Sequence, residues 1–318
     1  MIDGRKTSRI RVCVAIPTFR RPAQLELLLR GISRQEISST YDIDVVVFDN
    51  DSSASAAPVV ESLRSVLGLQ LMYVHERERG LSAVRNSALA FAEGSYEFLA
   101  MIDDDENPEP QWLAQLLEVA TRTRADATFG PVRYEFPDGA PRWLKNGNFF
   151  DLPVEAGDGE PMVTGYSGNC LLRVDSLRRF ALKFDRTFDF SGGEDLLFFR
   201  QLRERGASFV FAARAQTTEG VVPKRASAGY ILQLNYRRGN TLAICDVRTR
   251  PGVRSVALRA LKGSLRLARG FAQLIPLSLL RGRGGALTAA CDLAHGIGSI
   301  VGLFGVVYEA YGRVDVRV

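Results

Sequence analysis

Four short apolar runs punctuate the first third of the chain, each cut off by polar residues and each followed by a stretch with helical spacing. Ile10–Ile16 (IRVCVAI) stops at Pro17, and Leu25, Leu28, Leu29 and Ile32 then recur on one helical face. Ile43–Phe48 (IDVVVF) ends at Asp49-Asn50-Asp51-Ser52-Ser53, ahead of Val59, Val60, Leu63 and Leu67. Leu69–Val74 leads into a helical stretch over Leu81–Ala92. Tyr96–Ile102 ends at Asp103-Asp104-Asp105-Glu106, before a helix opened by Pro110. Strands apolar on both faces, joined by helical crossovers, predict a Rossmann-like, mostly parallel α/β sheet with helices on both faces.

Composition narrows the chemistry. The 318 residues allow one large domain or two modest ones, and the net charge of +5 is mild. Cys13, Cys170, Cys245 and Cys291 form no CxxC pair, which argues against a disulfide framework or a thiolate zinc site and for a reducing compartment. With His75 and His295 the only histidines, Ser-His-Asp catalysis has almost no material, so catalysis must run on carboxylates. Neither GxxxxGK[ST] nor GxGxxG occurs, and no nucleic-acid module is recognisable. The start, MIDGRKTSRI, lacks the apolar region of a signal peptide, and no stretch reaches 18 clean apolar residues, so no membrane span is expected.

Ligands of parallel sheets bind outside the carboxyl ends of the strands. Those ends carry Pro17-Thr18-Phe19-Arg20, Asp49-Asn50-Asp51-Ser52 and Asp103-Asp104-Asp105. Three consecutive carboxylates repel one another unless a cation sits among them, and hard oxygens suit Mg²⁺ or Mn²⁺ shared with a diphosphate. A second acidic group, Gly192-Gly193-Glu194-Asp195, precedes Leu196-Leu197-Phe198-Phe199. It reads either as a plain helix start or as a carboxylate placed to take a proton. Residues 133–163 interleave Gly, Pro, Asp and aromatics without periodicity, as functional loops do.

From Arg248 the chain becomes basic. No Asp or Glu lies between Asp246 and Asp292, and apolar residues are interleaved before an apolar, Gly-rich segment over Ala286–Tyr308. The expected division is a domain over 1–246 and a C-terminal amphipathic helical segment over 247–318. That segment is expected to rest on an anionic membrane surface; the plainer alternative is a helical pair capping the domain or joining subunits.

In order along the chain, IPTFRRPAQLELLL, VVFDNDSS, RGLSAVRNSAL, FLAMIDDDENPEPQWL and FSGGEDLLFFRQL resemble the motifs of family 2 inverting glycosyltransferases, over roughly residues 10–240. The likeness is to bacterial members that build surface polysaccharides and lipid-linked glycans. It implies a GT-A fold, a nucleoside diphosphate sugar donor, a glycan or lipid-linked acceptor and Mn²⁺ or Mg²⁺, and the basic C-terminal segment adds the expectation of a cytoplasmic enzyme, peripheral at the inner face of the membrane. By position it implies that Pro17, Thr18 and Arg20 line the nucleotide and that Asp49 faces the base, with Asp51 and Ser52 alongside. Arg85 would reach the same pocket; Asn86 reads as a packing residue. Asp103 would lie near the ribose and Asp105 on the metal, with Asp104 able to serve as either. Asp195 would be the general base, with Glu194 on the acceptor side. Relatives offer a further metal ligand, often His, after the next strand, where this chain has Glu219. Arg225 or Arg237 would help the leaving diphosphate. Gln233–Arg237 only approximates the QxxRW of processive members, which favours transfer of one sugar. Two rivals are a nucleotidyltransferase, which would show a Gly-rich basic loop in place of PTFRRP, and a non-catalytic nucleotide-sugar scaffold on a membrane.

Overall fold

A computed structural model describes residues 9–150 and 156–309. The chain start, part of the irregular 133–163 segment and the end of the 247–318 segment lie outside the described residues. The chain divides into two compact units.

The first unit comprises Met1–Arg133, Glu155–Phe184 and Leu202–Glu219. In chain order its elements are β1 (Ile10–Thr18), α1 (Pro22–Ile32), β2 (Tyr41–Asp49), α2 (Ala57–Arg64), β3 (Gln70–His75), α3 (Leu81–Glu93), β4 (Phe98–Ile102), β5 (Glu106–Pro108), α4 (Trp112–Thr123) and β6 (Ala127–Phe129). After β7 (Val132–Glu135) come β8 (Asn169–Arg173), α6 (Val174–Phe180), β9 (Phe209–Phe211) and β10 (Thr217–Gly220), while α5 (Arg142–Lys145) and most of α7 (Glu194–Glu204) belong to the second unit. Seven strands form one sheet in the order β3-β2-β1-β4-β8-β6-β9. All neighbours are parallel except β8, which runs antiparallel to both β4 and β6.

Period-two packing explains the continuous apolar runs. Val12, Val14 and Ile16 share one buried cluster with Leu25, Leu28 and Leu29 of α1, Val60 of α2 and Trp112 of α4. Their alternates, Cys13 and Ala15 with Val46 and Phe48, are just as buried, and Phe48 meets Phe91 of α3 edge to face. Each fully buried Leu or Ile contributes roughly 1.5–3 kcal/mol over leaving it exposed. The first strand outlasts the expected stop at Pro17 and runs to Thr18. Its pairing with β4 ends at Ala15, so the missing proline N–H falls beyond that ladder. A second, smaller sheet pairs β10 antiparallel with β5, setting Glu219 opposite Glu106.

The second unit comprises Tyr134–Val154, Asp185–Gln201 and Gly220–Val318. It holds the helices α8 (Ala228–Thr249) and α9 (Val253–Leu303) and an aromatic cluster that joins Phe149 and Phe150 to Tyr134, Trp143 and Tyr230. The long helix α9 is two arms, 253–281 and 283–303, because Gly282 takes φ 56° and ψ −137°, which only glycine adopts at low cost. The arms fold back on each other: a Cβ on Gly270 would meet Leu293, and one on Gly296 would meet Leu267. The second arm packs on α8 as closely, since a Cβ on Gly239 would fall 2.1 Å from the His295 carbonyl oxygen.

Two observations bear on the expectations for this region. By length and composition α9 is long and apolar enough to cross a membrane, although no unbroken apolar run of that length exists in the sequence. Its most apolar window is also 50% buried inside the protein. The apparent excess of arginine is partly neutralised by long-range pairing. Arg200 and Arg259 both bind Asp246, and Arg266 and Arg269 both bind Asp292.

Candidate active site

Parallel register brings three strand ends to one rim. Thr18 pairs with Asp49, Asp49 pairs with His75, and β4 delivers Asp103 beside them. The Thr18 hydroxyl donates to Asp104 Oδ2 at 2.7 Å. Arg21, which sequence reasoning passed over in favour of Arg20, donates to Asp104 Oδ1 at 2.9 Å and to Asp105 Oδ2 at 2.7 Å. The two arginines part company because Arg20 takes φ 55°, while Arg21 caps α1 in front of Pro22. Arg20 turns to Asp51 at 3.0 Å. Two guanidinium groups approach the Phe19 ring, Arg20 at 5.1 Å and Arg79 at 4.6 Å from its centre.

The acidic run separates by environment. Asp104 is only 5% exposed, and burial pushes its carboxyl up to about 6 despite the opposing pull of Arg21 and Thr18. Asp103 faces Arg85 at 3.3 Å. Arg85 is buried within α3 and lies over the Phe184 ring. Asn86 beside it acts as the packing residue expected, bonding both the N–H and the carbonyl of Phe184. Glu106 is buried and hydrogen-bonded by the Thr217 hydroxyl. Burial first, then Asp103, with Glu219 and Asp105 adding to them, raises its carboxyl well above the usual range.

The Asp49 loop is wound on itself. Asp49 is fully buried and accepts the N–H groups of Asp51 and Ala56 at 2.9 and 2.8 Å and the Tyr73 hydroxyl at 3.0 Å. Burial tends to raise the Asp51 carboxyl, but hydrogen bonds from Ser53 and Arg20 outweigh it and bring it down to about 2. Ser52 is exposed and Pro17 half-buried. Asn50 ties this loop to the next, accepting the Gly80 N–H at 2.8 Å and donating to the carbonyls of Glu76 and Glu78. Arg21, Asn50, Tyr73, Glu106 and Thr217 are thus site residues that the motifs did not single out. Glu106 was visible as the fourth acid of its run, but the others carry no local signal.

Among the described residues no three His, Cys, Asp or Glu side chains converge as a self-sufficient metal cage. The donor set nonetheless fits a hard divalent cation shared with phosphate oxygens. Asp103, Glu219 and Asp105 all act electrostatically on the buried Glu106, and a small cation of this kind takes one or two carboxylates, leaving its other positions to phosphate and water.

In the second unit, Gly192 and Gly193 take φ 72° and 100° and lead into α7. A Cβ on Gly193 would fall 2.0 Å from Thr241 Cγ2 of α8, so the turn is seated against that helix. Glu194 is 2% exposed, and Asp195, half-buried, follows it in the first turn. Arg225 and Arg237 are half-buried, Arg225 before α8 and Arg237 within it.

The sheet is of the mostly parallel α/β class, in which ligands bind at the carboxyl-end rim, and here that rim is acidic. The glycosyl transferase family 2 profile matches residues 13–180, and the chain belongs to that family. The succinoglycan biosynthesis protein ExoM of Rhizobium meliloti (strain 1021) is 36% identical over 233 residues, 73% of this chain and 74% of that protein. A chondroitin synthase of Escherichia coli is 31% identical over 42% of this chain, which spans only 18% of that longer protein. Among solved structures, the mannosyltransferase PcManGT from Pyrobaculum calidifontis, in complex with GDP-Man and Mn²⁺, superposes with a TM-score of 0.62 at 20% identity. That match covers 92% of this chain and 87% of that one. S. aureus TarS 1-349 in complex with UDP-GlcNAc gives a TM-score of 0.52 at 16% identity, covering 96% and 95%.

Proposed function

We propose that this family 2 glycosyltransferase moves one sugar from a nucleoside diphosphate sugar, UDP-linked, to a hydroxyl of a glycan or lipid-linked acceptor, with inversion. The observation that carries the reading is the gathering of Thr18, Arg21, Asp104 and Asp105 at the carboxyl rim of the sheet. The ExoM similarity and the sugar-nucleotide complexes of the structural neighbours support the donor class.

In this reading Thr18, Arg20 and the loop carrying Asp49, Asp51 and Ser52 shape the nucleoside pocket, and Arg85 holds Asp103 toward the ribose. Arg21 holds the Asp105 carboxylate in place through its hydrogen bond. Asp105 and Glu219 would hold Mn²⁺ or Mg²⁺, which would supply Lewis-acid stabilisation for the departing diphosphate. Asp195 accepts the acceptor hydroxyl proton, and the oxygen attacks the anomeric carbon from the face opposite the leaving group. One displacement inverts the centre, so a single base suffices. We read 1–246 as the transferase domain and 247–318 as the segment that keeps a cytoplasmic enzyme at the inner membrane face.

A thermal-shift screen of nucleotide sugars with and without Mn²⁺, followed by donor hydrolysis, tests the reading. One sugar nucleotide should stabilise the chain in a cation-dependent way and be slowly hydrolysed. No shift and no hydrolysis across the panel would leave the scaffold alternative standing.

A further inference from the structure

The outer arm of α9 presents its apolar side outward, opposite to what a soluble helical layer requires. Leu258, Leu261, Leu265, Phe271, Ile275 and Leu279 are all exposed, with Phe271 at 69% and Leu279 at 83%. At about 100° per residue they cluster on one side of the arm. The opposite side, with Arg259, Gly263 and Gly270, is buried. The arm is about 40 Å long at the helical rise, so this is a large patch by the standard of soluble surfaces. Arg254, Lys262 and Arg281 are exposed along it, with Arg283 just past its end, and no acid occurs between Asp246 and Asp292.

From this face we infer that residues 253–281 lie in the plane of an anionic lipid bilayer, apolar side down, and do not span it. The inference rests on the membrane reading above and deepens it by naming the arm, the face and the orientation. Apolar residues flanked by cations match the acyl boundary and headgroups of an anionic leaflet. A second copy of the same face would instead set these cations against one another. Spanning is disfavoured by where the polar groups lie. The more apolar arm, 283–303, carries the buried Asp292, His295 and Ser299 and packs between α8 and the outer arm. Asp292 is also tied to Arg266 and Arg269 of the outer arm.

The test uses the full chain with phosphatidylcholine vesicles, with and without one third phosphatidylglycerol. Binding should require the anionic lipid and weaken with salt. The double variant Leu265→Glu, Phe271→Glu should bind at least about tenfold more weakly while melting normally and turning over donor in solution as the parent does. In Phe271→Trp, bromines near the top of the acyl chains should quench the indole, those at the chain ends should not, and carbonate should extract the protein. Deep quenching with resistance to carbonate would show a spanning helix and overturn the proposal. So would vesicle binding unaffected by the double variant, or a dimer that the variant dissolves without any lipid binding in the parent. Donor hydrolysis is scored separately, so loss of turnover with lipid binding intact would count against the transferase reading alone.

Discussion

Thr18 and Asp104 lie 86 positions apart, yet the hydroxyl of the first donates to the carboxylate of the second at 2.7 Å. That bond joins the end of β1 to the segment following β4, and Arg21 extends it to Asp105. The acidic rim is therefore held from the β1–α1 turn as well as from its own strand.

Arg21→Ala should weaken cation-dependent donor binding by about tenfold or more, because two carboxylates lose the guanidinium they share. Arg21→Lys should recover part of it, since both bonds leave one nitrogen, Nη1, which an ammonium on a shorter side chain replaces only in part. Calorimetric titration of donor in the presence of Mn²⁺ reads both, and an unchanged Kd in Arg21→Ala would remove Arg21 from the site.

Asp105→Ala should abolish the difference that Mn²⁺ makes to donor binding, and chelation of the parent with EDTA should mimic it. The measurement is the donor-induced shift in melting temperature. A full Mn²⁺-dependent shift in the variant would place the ligand elsewhere.

Asp195→Asn keeps the size of the side chain but cannot accept a proton. Turnover should fall roughly 10²–10⁴-fold, the range for losing general base catalysis, while the donor Kd stays put. Single-turnover kinetics with saturating donor separates the two, and near-parental turnover would reassign the base.

Asp51 carries an acid-stability signature. Its carboxyl sits at about 2 in the folded chain against 3.8 as its ordinary value, so folding favours the ionised form. That contribution, about 2 kcal/mol for a shift of this size, is present above pH 4 and lost as pH falls toward 2. Asp51→Asn should lower the melting temperature at pH 7, and the gap to the parent should close on acidification. A gap that stays constant down to pH 2 would contradict the assignment.

Much of the fold was legible in the linear chain. Apolar runs and helical spacings located β1, β2, β3 and β4 and helices α1 to α4, because a buried parallel strand must be apolar on both faces and its crossover helix on one. The fragments IPTFRR, VVFDNDSS and DDDENPEP marked the rim for a related reason: a strand that leaves the core must end in residues that tolerate water or a ligand. The antiparallel course of β8 was not legible, since a five-residue buried strand reads alike in either direction.

Residue type and order were enough to predict a mostly parallel α/β sheet with acids at its carboxyl ends, because hydrophobic periodicity and acid clusters are local properties, while the family was legible only as a resemblance of five ordered motifs. Which arginine reaches Asp105, why Asp104 resists ionisation, and which side of α9 is left exposed depended on tertiary structure alone. Those outcomes turn on one backbone angle at Arg20, on burial of Asp104, and on the reversal at Gly282 that folds one arm over the other. Each is set by distances between residues far apart in sequence, which no local pattern encodes.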